Sequence, residues 1–267
     1  MEFYQGDSPY LVGFDETFRV GQVDTMPPVG SDGKKVLKTQ LKGLVQTLGE
    51  LQDRLYAEDR RSILLIFQAM DAAGKDSTIR AVTSGVNPAG FQVFAFKAPS
   101  KEELDHDFLW RTTRALPERG RIGVFNRSYY EETLIARVRP EIIAGQRVDI
   151  RSASIWEERF ASIRDHEAHL ARNGTTIIKF WLNVSREVQL NRFLRRIDRP
   201  EKNWKFSAAD LAESERWPAY MEAYQAMLRA TSRPCAPWYA IPADHKPFMR
   251  TTVADIIVKT LQQLRPH

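Results

Sequence analysis

Residues 62–80, SILLIFQAMDAAGKDSTIR, decide the fold. Ile63, Leu64, Leu65, Ile66 and Phe67 form an unbroken apolar run rich in branched side chains. That length and composition suit a strand buried on both faces, as in a parallel sheet. Small residues follow, then Gly74-Lys75, then a segment of helical character from Asp76 onward. Strand, tight turn and a helix opening on Gly-Lys are the parts of a phosphate cradle. Backbone N–H groups at the helix start face the anion, and the lysine adds a point charge.

The cradle departs from the Walker A pattern of glycine, four residues, then Gly-Lys-Ser/Thr. Ala69 stands at the first glycine, and Asp76 stands where a magnesium-binding hydroxyl is usual. Ser77 and Thr78 come one and two places late, and Asp71 puts a carboxylate inside the loop. The reading is a phosphate site of modified type.

Outward from this stretch the chain alternates helices and strands. Before it, Leu37, Leu41, Leu44, Val45, Leu48, Leu51 and Leu55 recur at spacings of three and four. They predict a long helix over 34–59 that packs on the sheet or on a second subunit. Residues 1–33, with Met26-Pro27-Pro28-Val29-Gly30, read as an irregular, partly mobile arm lying on the body. After it, strands are expected at 91–96, 121–125, 175–184 and 238–241. A capping box at Ser100–Glu103 starts one helix that should run to Pro117. Further helices are expected at 128–138, 152–172, 185–197, 213–231 and 247–264. This order means a five-stranded parallel α/β sheet with helices on both faces, in one domain over 34–267. Ligands bind such sheets at the carboxyl ends of the strands.

Composition narrows the class. The 267 residues carry 39 Lys and Arg against 34 Asp and Glu, a net charge of +5 that suits an anionic partner. A single cysteine, Cys235, excludes an internal disulfide framework and a cysteine-based zinc site. No apolar run reaches membrane-spanning length and no signal-peptide core is present, so a cytoplasmic protein without membrane contact is expected.

Two further clusters carry chemistry. Asn126-Arg127-Ser128-Tyr129-Tyr130-Glu131 follows the third apolar strand directly, beside the loop after the first. A strand-end residue there can hold magnesium, and Asn126 with Glu131 one turn on are the candidates. Helix capping by Asn126 or Ser128 accounts for part of the same pattern. The second cluster is basic. Arg192, Arg195, Arg196, Arg199, Lys202 and Lys205 face only Asp198 and Glu201, and Trp204 and Phe206 follow a Pro-Glu-Lys-Asn break. It has the form of a nucleotide-kinase lid over about 192–212, closing cations over phosphate and excluding water. His106, Asp107 and Arg111 fall where small-molecule kinases contact the acceptor; His106 is given no chemistry.

The blocks AMDAAGKDST (69–78), FKAPSKEELDHDFLWR (96–111), FNRSYYEE (125–132), NRFLRRIDRPEKNWKFS (191–207) and APWYAIPADHK (236–246) together resemble the polyphosphate kinase 2 family. The resemblance implies a three-layer, thymidylate kinase-like P-loop fold with a helical lid. It also implies reversible, Mg2+-dependent transfer of phosphate between inorganic polyphosphate and nucleotides, with Mn2+ as the other candidate ion. By position, Asp71 would organise the metal and the attacking oxygen, Lys75 would bind the transferring phosphoryl group, and Asn126, Arg127 and Glu131 would form the Walker B-like cluster. Asp71 and Glu131 are the expected metal ligands.

Phosphate and nucleotide contacts are expected from Ala72, Ala73, Gly74, Asp76, Ser77, Thr78, Lys97, Asp107, Arg111, Tyr130 and Arg137. Arg192, Arg196, Lys202, Trp204 and Lys205 make up the expected lid. Asn at 126 followed by Arg-Ser-x-Tyr-Glu is similar to the class III members, which are associated with both AMP and ADP, and GMP and GDP are further candidates. A homo-oligomer, dimer or tetramer, is expected, and nucleic acid is not an expected partner. An ATP-dependent small-molecule kinase of the same fold is the competing enzyme. A polyanion-binding protein with a vestigial loop is the competing non-enzyme, but it would have no need of Asp71 and Glu131.

Overall fold

The structure, a computed structural model, describes residues 3–146, 154–198 and 208–266. Five strands form one sheet: β1 (Ser62–Gln68), β2 (Phe91–Ala95), β3 (Ile122–Asn126), β4 (Thr175–Asn183) and β5 (Trp238–Pro242). The order across the sheet is β2-β3-β1-β4-β5, and every pairing is parallel. All seven residues of β1 are buried, as its apolar run requires of a central strand. The ring of Phe67 stacks on Phe180 of β4 with centroids 5.0 Å apart.

The helices, in chain order, are α1 (Lys34–Glu58), α2 (Lys75–Val82), α3 (Lys101–Leu104), α4 (Trp110–Thr113), α5 (Ile135–Val138), α6 (Glu141–Gly145), α7 (Ile155–Arg172), α8 (Arg186–Ile197), α9 (Ala208–Glu215), α10 (Trp217–Thr231) and α11 (Lys246–Leu264). On one face α1 and α2 pack with α11; on the other α5 and α7 pack with α10. The leucine stripe of α1 thus packs on α11, inside the subunit.

Two expected helices are broken. Ser100 and Glu103 do form the capping box, but α3 is a single turn. The Asp107 carboxylate then accepts from the Leu109 N–H at 2.9 Å, a local bond that competes with helix continuation, and α4 starts afresh. After β3 the chain makes a 3₁₀ turn, Tyr129–Thr133, before α5.

The arm before α1 follows a defined course. Val12 N–H donates to Trp238 O at 2.9 Å and Ala240 N–H to Tyr10 O at 2.8 Å, an antiparallel bridge on the outer edge of β5. Val12 is fully buried, and every residue of β5 is buried although the strand is last in the sheet. At the opposite edge no segment among the described residues pairs with β2, and Val93 is 48% exposed. The carboxyl ends of β1 and β3 lie side by side, with Phe67 paired to Asn126, so the loop after β1 meets the Asn126–Glu131 segment.

Candidate active site

The loop after β1 is held from within by Lys75. Its Nζ donates to Ala69 O at 2.6 Å, with Met70 O at 3.4 Å. Ala72 (φ 60°) and Gly74 (φ 112°) adopt left-handed backbone, so the peptide groups fold around the lysine. At Gly74 a side chain would be strained and would meet the Met249 methyl at 3.3 Å. Ser77 and Thr78 both turn their hydroxyls back to Gly74 O, each at 3.0 Å. Both hydroxyls therefore serve the turn.

Arg127 closes the loop from the β3 side. Its N–H donates to Phe67 O at 3.1 Å, its backbone is left-handed (φ 65°), and its guanidinium meets the Asp71 carboxylate at 2.6 Å. Asn126 Nδ2 donates to Asp76 Oδ1 at 2.7 Å, so the strand-end amide grips the carboxylate that replaces the usual hydroxyl. Glu131, partly buried one turn on, interacts with Arg127, Lys75 and Asp71. The sequence-predicted core of the site, Asp71, Lys75, Asn126, Arg127 and Glu131, is thus brought together.

The charges are tuned against one another. Burial would raise the Asp71 pKa, but Lys75, Arg127 and Arg196 hold it below the usual carboxylate value. Burial pushes the Lys75 ammonium down, partly offset by Asp71. Glu131 and, after it, Asp71 hold the Arg127 guanidinium firmly protonated. Burial raises Glu131 despite Arg127 and Lys75, so the two carboxylates are shifted in opposite directions.

The remaining expected residues divide. Arg196 lies over the Phe193 ring at 5.3 Å and its charge helps to lower Asp71. Arg192, expected in the lid, acts in this structure as a strut. Its guanidinium donates to Ala72 O (3.1 Å), Ala73 O (2.7 Å), Ala243 O (2.8 Å) and Asp244 O (3.0 Å), tying the loop to the segment after β5. Tyr130, an expected phosphate or nucleotide contact, likewise lies inside: its side chain is fully buried, and its hydroxyl donates to Glu167 at 2.8 Å beneath the site. Arg137 lies over the Trp156 ring at 5.7 Å, on the flank. Lys97 is exposed and its carbonyl accepts from Arg111 at 2.7 Å. Asp107 and Arg111 border a cavity of about 220 Å³, together with Phe108, Glu132 and Arg159. His106 stacks on Trp110 at 3.9 Å. Lys202, Trp204 and Lys205 lie outside the described residues.

Sequence reasoning missed four contributing residues. Gln189 Nε2 donates to Asp71 O at 2.9 Å and its Oε1 accepts from Ser214 at 2.8 Å, fixing the loop from α8. Tyr220 and Tyr224, read only as an apolar helix face, have their ionisation suppressed by burial, next by Glu213 for Tyr220, and then by Glu131 and Asp71, whose charges reach both rings. Lys246 brings Cε to within 3.7 Å of where a Gly74 side chain would begin. Only the helix-face pattern of the tyrosines left any trace in sequence.

The donor set suits a hard cation of Mg2+ type. Among the described residues no group of three or more His, Cys, Asp or Glu could cage a metal. Asp71 and Glu131 nonetheless act on the same two cations and so face one volume. One or two carboxylates, completed by phosphate oxygens and water, are what Mg2+ takes.

A parallel sheet whose carboxyl edge bears a lysine-centred phosphate loop and two facing carboxylates defines a P-loop kinase-like protein. More narrowly, the chain belongs to the polyphosphate kinase 2 family, whose model matches residues 31–267. It is 52% identical to an ADP-polyphosphate phosphotransferase of Rhodopseudomonas palustris over 96% of this chain and 90% of the relative. It is 42% identical to an AMP/ADP-polyphosphate phosphotransferase of Meiothermus ruber over 87% of this chain and 84% of the relative. The crystal structure of polyphosphate kinase 2 from Arthrobacter aurescens superposes with a TM-score of 0.90 at 38% identity, covering 100% of this chain and 93% of that one.

Proposed function

We propose that this protein transfers the terminal phosphoryl group of inorganic polyphosphate to nucleoside diphosphates and monophosphates, reversibly. The observation that carries the reading is the loop after β1, with Lys75 seated on its carbonyls and Asp71 paired to Arg127 across it. Membership of the family supports polyphosphate over ATP as the donor. ADP is the acceptor common to the names of both relatives, and AMP rests on the Meiothermus ruber relative.

In the transfer, an oxygen of the acceptor's terminal phosphate forms a bond to the end phosphorus of the chain. The bridging P–O bond behind it breaks, and the shortened polyphosphate leaves with that oxygen's electron pair. Such chemistry asks for alignment and charge neutralisation more than covalent help. Lys75 and the N–H groups of the α2 start would bind the moving phosphoryl group. Arg127 would exchange part of its hold on Asp71 for phosphate oxygens, and Arg196 would approach from α8. Asp71 and Glu131 would hold Mg2+ (or Mn2+), which when bound supplies neutralisation of the phosphate charge. The cavity beside Arg111 and Asp107 is of a size for the acceptor's nucleoside end.

The test is a purified-protein assay with Mg2+ and long-chain polyphosphate, supplying AMP, ADP, GMP or GDP separately. ATP from ADP is the expected product, with ADP and ATP from AMP. Transfer from ATP to a monophosphate, with none from polyphosphate, would shift the reading to an ordinary nucleotide kinase. Asp71→Asn and Lys75→Ala should each lower kcat at least about a hundredfold. Near-wild-type turnover in either would remove that residue from the mechanism.

A further inference from the structure

Strand β4 carries a lysine where a buried strand should be apolar throughout. Lys179 is fully buried, and its Nζ donates to Glu167 Oε2 at 2.6 Å, Tyr130 OH at 2.7 Å and Thr231 O at 2.8 Å, which accounts for all three of its protons. Glu167, on α7 and 1% exposed, accepts from the hydroxyls of Tyr129 (2.9 Å) and Tyr130 (2.8 Å) on its other oxygen. Burial, partly offset by Glu167, leaves the lysine lowered to about 8. A buried pair of this kind is weak support for stability, because apolar residues of similar volume often serve as well. Directional bonds do something apolar packing cannot. They allow one placement of the groups they hold.

What they hold is the turn beneath the site. Tyr129 and Tyr130 open the 3₁₀ turn, with Arg127 two residues before them and Glu131 directly after. The left-handed backbone of Arg127 is strained for a residue with a side chain and persists only where its surroundings over-determine it. Ser128, fully buried, accepts from Gln68 Nε2 at 3.3 Å and from Tyr130 N–H at 3.2 Å, which links the strained residue to the tyrosines.

We propose that the buried Lys179–Glu167 pair is a positioning device for phosphoryl transfer, fixing the Tyr129–Tyr130 turn so that Arg127 and Glu131 meet Asp71 and Lys75. The inference rests on the polyphosphate-transfer reading of that site. Lys179 and Glu167 touch no reacting atom; they act through the turn.

Tyr130→Phe removes one hydroxyl and keeps the ring. Its kcat with polyphosphate and ADP should fall about tenfold, with KM for polyphosphate within about twofold, since displaced groups cost rate more than ground-state binding. Tyr239→Phe is the structural comparison. It makes the same change at a buried hydroxyl that donates to Gly6 O at 2.8 Å, under the arm, and should lower Tm at least as much while leaving kcat within about twofold. Should Tyr130→Phe fail to fold, Glu167→Gln, of matching size, is judged by the same rule. Wild-type kcat in the tyrosine variant, or kcat falling in both variants in step with Tm, overturns the inference. Wild-type protein runs in the same assay. If it is inactive, both this inference and the functional reading fall; if it and Tyr130→Phe are equally active, only the inference falls.

Discussion

Glu131 lies where its uncharged form is favoured, and that has a measurable consequence. Its pKa is raised by burial, so the folded state binds a proton more readily there than the unfolded chain. The resulting penalty is full above the raised value and absent below the ordinary value of 4.5. Glu131→Gln should therefore raise Tm at neutral pH while losing transfer activity, and the gain should vanish as pH falls through 4.5. Thermal melts of both proteins across that range check the sign; an unchanged or lowered Tm at neutral pH would refute it. Residues of this kind were legible in sequence where the signal is local. Asp71 and Lys75 stand out because strand, turn and helix are contiguous. Tyr130 was misjudged because two adjacent tyrosines give no sign of which faces substrate and which faces core.

Among the elements, α8 shows how a charge run can mislead. Arg192 and Arg196 are four residues apart on one helix, yet Arg196 acts on Asp71 while Arg192 is spent on four backbone carbonyls. A planar fork can reach several carbonyls at once, whereas an ammonium is a point donor. Arg192→Lys should cost about 1.5–3 kcal/mol of stability, as expected for lost hydrogen bonds to a charged group. It should also lower kcat/KM for polyphosphate about tenfold, through a loosened loop. Denaturant titration beside steady-state kinetics reads both, and a lysine variant matching wild type in both would return Arg192 to the lid. The Ser100 capping box was legible for the same local reason as Lys75. The end of α3 was not, because Asp107 is as good a turn-former as it is a helix-face residue.

For the molecule as a whole, five strands and their all-parallel pairing could be read from apolar runs alternating with helical periodicity. Their order across the sheet, β2-β3-β1-β4-β5, could not, because it depends on which way each crossover turns. Nor could the seat of the arm. Residues 1–33 are rich in punctuation, and the pairing of Leu11 with Tyr239 joins positions with almost the whole chain between them. Val12 makes the dependence testable. It is fully buried against β5, so Val12→Asp should destabilise the protein by at least about 3 kcal/mol through burial of an unpaired charge. A denaturation midpoint equal to wild type would mean that the edge of β5 does not need its cover.

The same contact sets an order on assembly. The arm is made well before Trp238 and Ala240, to which it bonds. On the ribosome it has no edge to join until the fifth strand has followed it out. Closing that edge is therefore a late, long-range event, and protection of the Val12 amide in pulse-labelled refolding should appear with that of β5 and not before it.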